Sequence, residues 1–404
     1  MRELQRPSHR KFLAKLLFVF LLAWEPLTSA QQITGRFYPE KQQYLVGEPI
    51  IVVFEIVNKS PRAIEIPESS CPSGNQFEVD NAPPSQKIEL YGCGRKPIAL
   101  DCLVGSREIP AGGRFRKRVL LVGEFELHSP GKYHVRTMFE QTVHGTENNE
   151  LAGDIKIASE FDVRLRAPNR GELEAAYEPF LHDLRGRDIM AKSFAASAIN
   201  QNPPLFAEAA LLTLSKDPEV SAESIEGLMR LATPAARVRL LEMASTRSSD
   251  NDGQTAIQAL GEIGNPQDCQ AMLAIAAVKK NYTQAEAYIM AGRICKENAI
   301  PVLNGLVGRN DSQLLLGIAG GLANTSSRLA VSPLIALLLS TDRNARQAAA
   351  DGLETLTRRT SYHGIGDEDS AKQSYSEWSD WWSVNSTTAP IFSSDQCSAT
   401  RPLP

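Results

Sequence analysis

"NARQAAADGLETL", residues 344–356, decides how the second half of this chain folds. The stretch is rich in Ala and Leu and reads as a helix, yet Gly352 sits inside it. Glycine costs roughly 1 kcal/mol relative to Ala in a helix interior, so its presence needs a reason. Upstream, "SIEGLM", "QALGEI", "IMAGRI" and "AGGL" carry Gly227, Gly261, Gly292 and Gly321 at the matching place. The five glycines are spaced by 34, 31, 29 and 31 residues, and Ser197 in "AASAI" lies 30 before the first. A small residue recurring at one period implies close approach of neighbouring helices at that point.

A second phrase keeps the same period. "ALLTL", "RLLEM", "MLAIA", "LNGLV" and "LIALL" lead with Leu211, Leu240, Met272, Leu303 and Leu334, spaced by 29, 32, 31 and 31 residues. Two independent phrases at one period describe a helix pair repeated along the chain. Each pair buries its apolar face only by stacking on the next, which predicts a right-handed α-solenoid. These phrases resemble the short HEAT repeats of the phycobilisome-lyase type. "NARQAAADGLETL" is similar to their first helix, with Arg346 at the usual basic position, and "AIPVLNGLV" and "AVSPLIALL" are similar to their second. The resemblance covers about residues 173–357 and implies protein binding, the common use of such repeats.

Before "RAPNRGE" (166–172), which reads as a linker, the period is two. "EFDVRL" sets Phe161, Val163 and Leu165 against Glu160, Asp162 and Arg164. "KYHVRTMFE" sets Tyr133, Val135, Thr137 and Phe139 against His134, Arg136 and Glu140. "QFEVD" and "KIELYG" repeat the alternation, "PIIVVFEIVN" is long and β-branched, and Gly, Pro and Asn clusters separate the runs. Several half-buried strands at this spacing predict a β-sandwich. "YLVGEPIIVVFEIVNKSP" resembles the opening of exported bacterial immunoglobulin-like domains. "SPGKYHVRTMF" is similar to their late strand, and that resemblance implies a tyrosine-corner hydrogen bond from Tyr133. The expected fold class is therefore multidomain: an all-β immunoglobulin-like sandwich over 31–167, followed by an all-α HEAT-type solenoid over 172–358.

The first thirty residues differ from both halves. Arg2, Arg6, Arg10, Lys11 and Lys15 precede the apolar run "LLFVFLLAW", and "LTSA" ends at Ala30 with small residues. This pattern is that of a signal peptide; the run falls short of the roughly 20 apolar residues a spanning helix needs. Its removal strips five positive and two negative charges and takes the net charge from −4 to −7. The expectation is a periplasmic or secreted protein with no stable membrane anchor after cleavage. The mildly acidic balance of the chain also argues against a nucleic-acid partner.

No hydrolase elbow, HExxH, P-loop or CxxC motif is present, and neither a cofactor nor a metal site is expected. His128, His134 and His144 lack ligand spacing to one another. Cys71, Cys93 and Cys102 are close in sequence and are disulfide candidates in an oxidising compartment, with Cys397 able to take the third. Cys269 and Cys295 fall on consecutive helices, either bridged or as small buried thiols. "GDEDS" (366–370) reads as a solvated loop or the start of a last helix.

On the second-helix face, the polar residues flanking the repeated leucine are Arg239, Glu242 and Gln270, the candidate protein-binding positions. In "SEWSDWW" (376–382), Trp378, Trp381 and Trp382 stand at i, i+3 and i+4 on one helix face. A solenoid's last repeat has an unpartnered apolar side, so residues 359–386 are read as a loop and a Trp-rich capping helix, and 387–404 as a disordered tail. The function expected is a non-enzymatic exported scaffold that binds another protein. The repeats' resemblance offers a bilin-lyase-like enzyme or carrier as the alternative, and the β half a protease-inhibitor or glycan-binding module.

Overall fold

The computed structural model describes residues 33–69, 76–80, 104–121, 127–145, 151–246, 251–361, 363 and 365–392. The leader, "KIELYG", Cys71, Cys93, Cys102 and Cys397 lie outside the described residues. Two compact units divide the chain, with the main break between Ala167 and Pro168.

The first unit is all β among its described residues. In chain order the strands are β1 (Ile33–Pro39), β2 (Gln43–Leu45), β3 (Ile51–Asn58), β4 (Ile64–Ser69), β5 (Gln76–Asp80), β6 (Val104–Ile109), β7 (Arg114–Leu120), β8 (Gly131–Gly145) and β9 (Leu151–Arg166). They form one sheet ordered β1-β3-β7 and another ordered β2-β9-β8-β4-β6, with β5 also paired to β8. The period-two pattern decides what each face does. Val52, Phe54 and Ile56 of β3 are buried, as are Tyr133, Val135 and Thr137 of β8 and Val163 and Leu165 of β9. Residues from both sheets join one core, in which the Phe37 and Phe54 rings stack at 4.6 Å. Tyr133 donates its hydroxyl proton to the Ser129 carbonyl at 2.8 Å, the bond the late-strand pattern predicts.

The second unit is helical. Its α-helices are α1 (Arg170–Arg185), α2 (Ile189–Gln201), α3 (Glu208–Leu214), α4 (Glu223–Leu231), α5 (Pro234–Thr246), α6 (Asn251–Ile263) and α7 (Cys269–Val278), then α8 (Asn281–Cys295), α9 (Ile300–Asn304), α10 (Ser312–Asn324), α11 (Val331–Leu337), α12 (Arg343–Thr357) and α13 (Glu368–Asn385). The expected linker already contains the first start signal. Asn169 accepts from Glu172 N at 2.9 Å while the Glu172 side chain accepts from Asn169 N, a complete capping box.

From α2 onward, alternate helices pack in series: α2 on α4, α4 on α6, α6 on α8, α8 on α10 and α10 on α12. All five repeated glycines lie at these junctions. A Cβ at Gly227 would strike Asn200 and Leu211, one at Gly261 would strike Met290, and one at Gly352 would press on Leu334 and Ala323. Gly292 and Gly321 approach so closely that a Cβ on the first meets the backbone of the second. The leading apolar residues Leu211, Leu240, Met272, Leu303 and Leu334 are all fully buried.

Polar bonds repeat at nearly the same interval. Lys192 reaches Asp217, Ser221 reaches Asp252, Arg237 reaches Asp268, Arg293 reaches Glu262 and Ser327 reaches Glu297, each across 25 to 31 residues. Arg237 donates to Asp268 through Nε at 3.0 Å and Nη2 at 2.7 Å, a bidentate pair well shielded from water. Cys269 and Cys295 are bridged, with Cα atoms 4.9 Å apart, which ties the start of α7 to the end of α8.

Candidate functional site

Arg239, on α5, does not point its donors at an open surface. Its Nε donates to Ser215 Oγ at 2.7 Å and its Nη2 to Ser215 O at 2.6 Å. Ser215 is the C-cap of α3, so Arg239 satisfies a helix-end carbonyl and braces neighbouring helices. Nη1 also pairs with Glu242 at 2.9 Å. The structure brings Arg239 and Glu242 together, and Gln270 stands exposed on α7.

The same helices carry a feature that the sequence reading missed. Leu205, Val238, Val278, Val302 and Leu329 are all large, apolar and well exposed, from 42% at Val302 to 74% at Val278. Each belongs to one of α3, α5, α7, α9 and α11 or to the 3-10 turn that opens it. Ile189, Met190, Tyr282, Leu339 and Val384 are exposed elsewhere in the unit, but these five fall one to each second helix in turn. The signal lay in valines and leucines that the buried 3.6-residue stripe does not use.

At the C-terminal end, Asp367 caps α13 by accepting from Ser370 N at 2.8 Å, so the acidic stretch is a helix start. That bond, with a second from the Ser370 hydroxyl, holds the Asp367 carboxyl below its ordinary value. Arg346 is buried and donates to the carbonyls of Ser340, Thr341, Ile365 and Gly366, which fastens the preceding loop to α12. Trp378 and Trp382 are buried and Trp381 is partly so. Trp382 Nε1 donates to Ser332 Oγ on α11 at 3.2 Å. The Arg359 guanidinium lies 5.6 Å from the Trp378 ring centre and 5.3 Å from that of Trp381, and bonds Glu377 at 2.8 Å. The tail expected from residue 387 is held as far as Phe392. Arg328 donates to Ala389 O at 2.7 Å, Ala389 is buried, and Phe392 N donates to Leu356 O at 2.8 Å.

Beside this helix lies a cleft of about 370 Å³ whose walls include Arg343, Gln347, Asp351, Glu354, Arg359 and Ser361. Its two guanidiniums and two carboxylates leave little net charge, and the groups suit hydrogen bonds to a polar chain. His134, in the β unit, is exposed and bonds Asp162 at 3.1 Å. The Lys132 and His134 side chains bonded to Asp162 hold that carboxyl below its ordinary value. Among the described residues no group of three His, Cys, Asp or Glu is placed to hold a metal ion. No helix among them is long and apolar enough to cross a membrane.

No family model matches the chain, and no curated protein does. Several solved structures are similar in part, among them these two. One is the native conformation of E. coli alpha-2-macroglobulin, at 11% identity and a TM-score of 0.18, covering 86% of this chain and 26% of that one. The other is a polysaccharide lyase, at 11% identity and a TM-score of 0.15, covering 83% of this chain and 49% of that one. The chain thus spans about a quarter of the first protein and half of the second. At such scores neither likeness bears on what this chain does.

Proposed function

We propose that this chain is an exported, non-enzymatic scaffold that binds another protein. In this reading the helical unit is a HEAT-type solenoid, the β unit an immunoglobulin-like sandwich, and α13 with its tryptophans a cap on the last repeat. The observation that carries the reading is that each second helix, or the turn that opens it, exposes one apolar residue: Leu205, Val238, Val278, Val302 and Leu329. An extended face of this kind is how stacked repeats gain affinity, because each pair adds a small apolar contact to a long surface. The leader-like start supports export, and the row is made of side chains that have no reactive chemistry.

The test is site-specific photo-crosslinking in the cells that make the protein. A photo-reactive residue at Val238, Val302 or Leu329 should capture one and the same protein, and Val238→Asp with Val302→Asp should abolish the capture. Crosslinks from Glu172 or Arg170 on α1 alone, with none from the row, would overturn the reading.

A further inference from the structure

The outer face of the β1-β3-β7 sheet carries an ion cluster with more cations than carboxylates among the described residues. Glu55, at the middle of β3, is only 3% exposed although it points away from the core that Phe54 and Ile56 enter. The strand register sets Arg36 directly opposite on one side and Arg116 on the other. Arg36 donates through Nε at 3.1 Å and Nη2 at 3.0 Å, and Arg116 through Nε at 2.5 Å. Arg114 Nη1 stands 3.8 Å away. One strand position further, Arg118 pairs with Glu40 at 3.0 Å.

Among the described residues, the guanidiniums of Arg36, Arg114 and Arg116 thus share the Glu55 carboxylate on one small sheet face. Like charges on adjacent strands repel, and Glu55 relieves this by sitting between them. It does so with few acceptor sites. A guanidinium offers about five N–H donors and a carboxylate accepts about four bonds, so the single Glu55 carboxylate cannot satisfy all the donors of these three arginines. The side chains of Arg36, Arg114 and Arg116 are 64%, 56% and 55% exposed. Their anchor stays charged, because the bond from Arg116 holds the Glu55 carboxyl below its ordinary value.

On either side of Glu55 the middle strand is apolar. Tyr38 lies under the Arg36 guanidinium at 4.9 Å, and Val53 and Val57 are half-buried, paired across the sheet with Arg118 and Arg114. Arginine and tyrosine beside apolar side chains make up the composition of protein-binding hot spots. A hydrated polyanion would use the arginines and leave the valines idle. We infer that this face docks an acidic protein segment, whose carboxylates pair with Arg36, Arg114 and Arg116 while apolar side chains cover Val53 and Val57. The inference concerns the β unit and does not rest on the helical row.

The probe is a fluorescein-labelled peptide of alternating Glu and Leu, added to the full chain lacking residues 1–30 and read by fluorescence anisotropy. Binding should be clear at low salt and fall about tenfold or more toward physiological salt, as charge pairing requires. The same peptide with Gln for Glu should not bind. Arg114→Glu, at the position least involved with Glu55, should weaken binding at least about tenfold with an unchanged circular dichroism spectrum. Equal binding of the Gln peptide, no binding of the Glu peptide at low salt, or binding of heparin but not of the peptide would each overturn the inference. The peptide comparisons and the salt series need no variant, so they decide the question even if Arg114→Glu fails to fold.

Discussion

Gly292 and Gly321 touch through their backbones: a methyl group added to Gly292 would fall on the Gly321 carbonyl. Backbone cannot swing aside as a side chain does, so α8 and α10 would have to separate. Gly292→Ala should therefore destabilise the helical unit by about 1–3 kcal/mol, although Ala is the better helix former. Gly308→Ala is the control, since nothing lies within 4 Å of its added Cβ. Urea denaturation followed at 222 nm compares the two. If both substitutions cost the same, the recurring glycine is not a packing requirement.

The Lys192–Asp217 bond makes a sharper statement about pH. Lys192 Nζ, on α2, donates to Asp217 at 2.6 Å, and Glu219 N donates at 3.1 Å. These bonds, the lysine's first, hold the Asp217 carboxyl below its ordinary value of 3.8. The folded pKa is then lower than the unfolded one. The resulting stabilisation is complete above the unfolded value and disappears as pH falls through the folded value. Asp217→Asn keeps an acceptor oxygen and loses the charge. It should be less stable than the parent near about pH 6, and the gap should close as pH falls through the folded value, which lies under 3.8. Chemical denaturation at both pH values checks this, and a gap that persists in acid would assign the loss to packing.

What the sequence made legible follows from what its local patterns can encode. The glycine and leucine phrases marked the helical junctions because close approach demands a particular residue at a particular phase. The alternation in β8 and β9 marked the buried face for the same reason. Arg239 looked available because its partner, Ser215, lies 24 residues away, at a distance no local pattern reveals. Nothing in the local pattern separates Val238 and Val302 from core valines, and only the packing shows which valines face water. The Cys269–Cys295 alternative stayed open because it depends on how the start of α7 meets the end of α8. The Arg36–Glu55–Arg116 row needed the strand register, since its members are separated by 19 and 61 residues.

The tryptophans give the fullest test of the C-terminal end. Trp378 is 1% exposed, its ring meets Trp381 edge-on at 5.5 Å, and Trp382 is bonded to Ser332 of α11. With residues 1–30 removed these are the only indoles in the chain, so its emission reports on this helix alone. Two indoles out of water predict a blue-shifted spectrum that moves red on unfolding. Trp378→Ala should cost about 3–5 kcal/mol, because it removes a fully buried ring that neighbouring helices cannot collapse onto. Trp381→Ala should cost less, since that ring is only partly buried. Deleting residues 375–404 should lower the melting temperature of the helical unit or cause it to aggregate, by uncovering the apolar side of α11 and α12. A red-shifted, easily quenched emission, with full stability after the deletion, would place the three rings in water and remove the reason for treating α13 as the end of the stack.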